Sequence, residues 1–146
     1  MSKRTDVLDA FRVVLEGIDG TGSYNHNLSV VKEIPETPNT GLLPYATLHR
    51  AEERYGDAGG ALTTHDLDLT IEIWARFSPP GENAADRGDK MIEDIERAVA
   101  LDRSLGGTVV DVTLLRNQVF TTSAGSSIAV VLVEATIKYR HAHGSP

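Results

Sequence analysis

The chain has 146 residues, 40% hydrophobic and 24% charged, the size and make-up of one globular domain whose folding hides roughly 68–70% of the unfolded surface without covalent staples. It has no cysteine, which excludes disulfides, thiolate nucleophiles and cysteine-held zinc or iron–sulfur centres and fits a reducing cytoplasm. With 14 basic against 21 acidic residues, a net charge of −7, and only the isolated pairs Lys3/Arg4 and Lys138/Arg140, tight gripping of nucleic acid is disfavoured, while contact with DNA that slides past stays open.

The opening "MSKRTDVLDAF" turns amphipathic at once, so no secretory leader is expected. Thr5 to about Gly17 reads as a helix, with Val7, Leu8, Phe11, Val14, Leu15 and Ile18 on one stripe. Thr5 is placed to cap it, and Asp6 sits in its positive first turn. "GIDGTGSYNHN" reads as a loop. Leu28–Ile34 is a short strand candidate. Pro35, Pro38 and Pro44 rule out a central strand in the stretch that follows. Tyr45–Gly56 is ambiguous: its first half suits a strand, and its charged second half suits a helix or an extended hairpin arm. "GDAGGALTTHD", with its close-set glycines, is expected to be the mobile tip of a long hairpin.

"THDLDLTIEIWARF" (64–77) is the strongest signal. Leu67, Leu69, Ile71, Ile73 and Ala75 alternate with Asp66, Asp68, Thr70, Glu72, Trp74 and Arg76, the pattern of a strand with one buried face. "SPPG" stops it. A helix is expected from about Ala84 to Ala100, capped by Asn83, with Ala85, Gly88, Ile92, Ile95 and Val99 inward. Two strands follow. The first sets Val110, Val112 and Leu114 on one side. In the second, odd positions from Ala129 to Tyr139 suit a core, and Ile128, Val130 and Leu132 make its first half apolar on the other face too. A sheet backed by helices needs one apolar face, so this surplus requires a cover: a loop, a crossing strand or another subunit. The expected fold class is α+β: an antiparallel sheet of four to five strands, two helices packed on one face, and a long hairpin arm. One domain is expected over 1–146, with loose ends at about 1–4 and 141–146.

Candidate chemistry is sparse. Asp66, Asp68 and Glu72 form an acidic row, with neighbours at i and i+2 about 7 Å apart. A hard cation needs oxygens that converge on one point, which a row does not provide, so the wet side of a sheet is the expected reading. His26, His49, His65, His141 and His143 show no zinc spacing. "SAGSS" is not a nucleophile elbow, and "GIDGTG" is neither a dinucleotide nor a P-loop fingerprint. No enzyme activity, metal or cofactor is expected. Trp74, on the polar side of its strand, is read as an interface anchor in preference to a ligand stacker.

"DVLDAFRVVLEGI", "LTIEIWARF" followed after a break by "GDKMIEDIERAVALD", and the final pair "VVDVTLLRNQVF" and "AVVLVEATIKYRH" together resemble the tail terminator (tail completion, minor tail) proteins of tailed bacteriophages. The resemblance implies a virion protein of the tail or neck, assembled in the bacterial cytoplasm without a membrane. It implies a homo-oligomeric ring, a hexamer, that caps the tail tube protein, halts its polymerisation and offers a joining surface to a head–neck connector protein. DNA passes through such a ring without sequence-specific binding. On this basis Trp74, Ile128, Val130, Leu132, Tyr55 and Asp57 are expected at subunit or tube contacts, and Asp66, Asp68 and Glu72 toward the lumen. Two other readings stay open: a head–tail connector, neck adaptor or tail-tube-like subunit, and a metal-binding or enzymatic α+β module.

Overall fold

The computed structural model describes residues 3–18, 24, 28, 30–33, 44–57, 62–78, 81–122 and 126–142. Helix α1 (Lys3–Glu16) is followed by strands β1 (Val30–Glu33), β2 (Tyr45–Asp57) and β3 (Leu62–Arg76). Helix α2 (Ala84–Leu101) and strands β4 (Asp111–Thr121) and β5 (Ile128–Ala142) complete the chain. The order across the sheet is β1-β2-β3-β5-β4. Four strands are antiparallel neighbours, and β1 joins the edge parallel to β2. The α+β class stands, with a sheet that is mixed at that edge. β2 and β3 form the long hairpin; its tip, 58–61, lies outside the described residues, as do 34–43 of the proline-rich stretch.

Local chemistry explains the helix ends. At α2, the Asn83 side chain accepts from the Asp86 amide at 2.8 Å, and the Asp86 carboxylate accepts from the Asn83 amide. This reciprocal cap satisfies two of the donors that a helix start leaves open. Beyond α2, Leu105, Gly106 and Gly107 all have positive φ, and the two glycines turn the chain there without a Cβ clash. Helix α1 is described from Lys3, ahead of the expected Thr5, and the Arg4 guanidinium donates to Glu53 of β2 at 3.0 and 2.5 Å. At the other end β5 runs to Ala142, paired with Leu62, which carries His141 inside the sheet.

Leu67, Leu69, Ile71, Ile73 and Ala75 of β3 are buried, with Val131, Val133, Ile137 and Tyr139 of β5 and Ala46 and Leu48 of β2. Val7, Leu8, Phe11 and Leu15 of α1 and Met91, Ile95, Ala98 and Val99 of α2 close over the same face. Strict alternation makes this register self-enforcing, since a one-residue slip would put the whole set in water. Gly88 brings α2 hard against β4: a Cβ there would lie 2.5 and 2.6 Å from the Val119 methyl carbons.

Two bulges shape the sheet. In β2 the register slips between Arg50 and Glu53, opposite Asp68. In β4 it slips between Leu114 and Arg116, opposite Ala135 and Glu134. Asp68 and Leu69 face Thr136 and Ala135 across the central pair, so the bulges flank β3 and β5 at nearly one level. A bulge adds twist and bends its strand. Here Ala51 and Glu52 from one side and Leu115 and Arg116 from the other line a single hollow of about 240 Å³ with Asp68, Thr70 and Glu134. The hollow makes this face, which no helix covers among the described residues, concave at that level.

Candidate assembly surface

Residues directly opposite on paired strands share a face. The even positions of β3 and β5 therefore stand together on the side away from the helices, and register extends them across the sheet. Tyr45 faces Trp74, Trp74 faces Val130, and Val130 faces Phe120. The next rank is Thr47, Glu72, Leu132 and Gln118. Ile128 lies beside Arg76 just beyond. A row of four apolar or aromatic side chains thus crosses four strands on the face that no helix covers among the described residues. Tyr45 and Val130 are each 2% exposed, while Phe120 at the end of the row is 41% exposed. Trp74 is half-buried, and its indole Nε1 donates to Glu72 at 3.2 Å.

Further along the same face the side chains become charged, and the acidic row is paired. Arg54 donates to both Asp68 oxygens at 2.6 and 3.1 Å, and Thr136 donates to Asp68 at 2.7 Å. The hydrogen bonds from Arg54 hold the Asp68 carboxyl below its usual range, against the effect of burial. The Lys138 ammonium lies 3.9 Å from Asp66, and Arg116 pairs with Glu134. These acids do not converge on a point. Among the described residues no group of three His, Asp or Glu side chains could hold a metal ion, and no helix is long and apolar enough to cross a membrane.

The expected contact residues divide. Trp74, Ile128, Val130 and Leu132 come together on the concave face. Tyr55 faces His65 in β3 and so lies on the opposite side of the sheet, at its far end, 68% exposed. Asp57 closes β2 opposite Thr63. Around Tyr55 is a cluster that sequence reasoning missed. Glu53, set on the core side by the bulge, accepts from Arg4 and from the Tyr139 hydroxyl at 2.8 Å. His65 is stacked on Tyr139 and lies against Tyr55 and His141, with its Nδ1 3.4 Å from Glu53. Burial raises the Glu53 carboxyl, but hydrogen bonds from Arg4 and Tyr139 outweigh it and hold the group at about 2. Burial, then Glu53, pushes the Tyr139 phenol up. This cluster pins α1 to the sheet.

Phe120, 41% exposed on the same face, is the aromatic that sequence reasoning missed there. Its signal lay in register: pairing across the turn after Thr121 brings it opposite Val130.

No protein-family model matches the chain, and no curated protein sequence does. Among solved structures, a chain in the virion of a native gene transfer agent particle is similar over 92% of both chains, with 14% sequence identity and a TM-score of 0.43.

Proposed function

We propose that the chain is a structural subunit of a tailed-phage-like particle: a tail terminator that closes into a ring, a hexamer, on the end of the tail tube. In this role it stops tube growth and presents a joining surface to the head–neck connector, and DNA passes through the ring. The observation that carries the reading is the half-buried Trp74, with Ile128 and Leu132 near it and the exposed Phe120 at the end of its row, on the sheet face that no helix covers among the described residues. Exposed apolar side chains grouped in this way mark a protein contact, and a half-buried Trp beside them has the character of an interface anchor. The sequence resemblance to tail terminators supplies the kind of assembly. The ion-paired half of the face, with Asp66 and Asp68, is the side assigned to the channel, and Glu72, which accepts from Trp74, stands at its border. Acids already matched with Arg54 and Lys138 give a polar wall that neither holds nor strongly repels a passing polyanion.

Negative-stain microscopy of the purified chain, alone and with tail tube protein, tests this role. Isolated rings, or rings on tube ends, are expected. Long filaments of the chain by itself would make it a tube subunit instead.

A further inference from the structure

β4 is a bare edge. It pairs with β5 on one side, and among the described residues nothing pairs with the other. An open strand edge presents a row of unpaired N–H and C=O groups, which soluble proteins usually blunt with proline, lysine, a β-bulge or a covering element; of these β4 has the bulge at Leu114/Arg116, which leaves the straight run Arg116–Thr121 beyond it. "DVTLLRNQVFT" has no proline, and between Val112 and Thr121 its one charged residue is Arg116. Arg116 pairs with Glu134 of its own sheet and stays exposed. Leu115, at the bulge, is 58% exposed. Beside it, Ile92, Ile95, Leu114 and Val133 help line a notch of about 150 Å³ between α2 and β4. The apolar row of the concave face ends at this same edge, with Phe120. A strand added beside β4 would extend the hydrogen-bond ladder and cover the end of that row together.

The opposite edge of the sheet is β1. It runs parallel to β2, while three successive antiparallel pairings separate β2 from β4. β1 and β4 therefore run in opposite senses. We propose that β4 of one copy adds antiparallel to β1 of the next, so that the sheet continues from subunit to subunit. This inference rests on the ring reading above and names the contact that closes the ring. A second copy is the occupant because the chain itself carries both halves of the contact, in matching sense, at opposite ends of one sheet. Head-to-tail use of two different edges is the kind of contact that closes into a ring, and closure leaves no edge exposed. Two β4 strands meeting about a two-fold axis would leave β1 bare and stop at a dimer.

The absence of cysteine lets disulfide trapping read this contact cleanly. Opposed residues on antiparallel strands have Cα atoms about 4.5–5.5 Å apart, within disulfide reach. Lys32→Cys is combined in one chain with Arg116→Cys, Gln118→Cys or Phe120→Cys in turn, and each double variant is oxidised mildly and run on a denaturing gel. At least one double variant is expected to give a ladder of covalent multimers, with every single variant remaining monomeric. Gln118→Cys cross-linking with itself would overturn the proposal in favour of a β4–β4 contact. Rings of the unaltered chain in native mass spectrometry, with no ladder from any double variant, would overturn the edge contact and leave the ring reading standing. Absence of any oligomer, with tube protein present, would overturn both.

Discussion

Trp74 and Val130 stand directly opposite each other on β3 and β5, on the face that no helix covers among the described residues. Val130 is almost fully covered, yet Trp74 keeps part of its ring in solvent. In the proposed ring, a large aromatic side chain that is only half-buried binds a partner. Trp74→Ala is therefore expected to cost the monomer about 1–2 kcal/mol, less than a fully buried aromatic, and to weaken assembly by at least about 30-fold, as for an interface hot spot. Thermal unfolding of the monomer and native mass spectrometry separate the two. Loss of the monomer fold itself would make Trp74 a core residue.

Gly88 is fixed by the approach of Val119. Gly88→Ala would push a methyl group into the Val119 side chain, so overpacking of about 1–3 kcal/mol is expected, despite the better helix propensity of alanine. Urea unfolding measures it. Val119→Ala in the same chain should restore much of the loss, because it removes the atoms that clash.

The Glu53 cluster gives a pH dependence with a definite sign. Glu53 sits at about 2 in the fold against an ordinary 4.5. A lowered carboxyl stabilises the fold above the unfolded value, and the contribution is lost as pH falls through the folded one. The shift is worth on the order of 3 kcal/mol. Relative to Glu53→Gln, the unaltered chain is expected to lose about that much stability between pH 5 and pH 2. Parallel stability curves for the two would show that the carboxylate contributes nothing there.

Divalent cations should find no site on the acidic row. Asp68 is already held by Arg54 and Thr136, and Asp66 and Glu72 do not converge with it. Calorimetric titration with Mg²⁺, Ca²⁺ or Mn²⁺ is expected to give no heat of binding. A signal that vanishes in Asp66→Asn/Asp68→Asn would establish a metal site there.

Sequence made β3 and α2 plain because each obeys one period throughout: Leu67 to Ala75 alternate strictly, and Asn83, Gly88, Ile95 and Val99 mark the cap and inner face of a helix. β2 was ambiguous for a physical reason. Ala46 and Leu48 face the core before the bulge and Glu53 and Tyr55 after it, so the alternation changes phase at Ala51–Glu52 and no single period fits. The same phase change in β4, from Val112 to Val119, concealed Phe120. The pairing of the acids was hidden for another reason. Arg54, Thr136 and Lys138 come from neighbouring strands, and one strand's pattern carries no record of what its neighbours present. The surplus face of Ile128, Val130 and Leu132 was legible, because a strand apolar on both sides shows it in its own sequence.

The central claim is that this chain assembles into a closed ring, with Trp74 among its contacts. Native mass spectrometry over a concentration series, with and without tail tube protein, tests it most directly. A single closed multimer of six copies, lost in Trp74→Ala while the monomer stays folded, is the expected result. A chain that remains monomeric at every concentration and in the presence of the tube would contradict it.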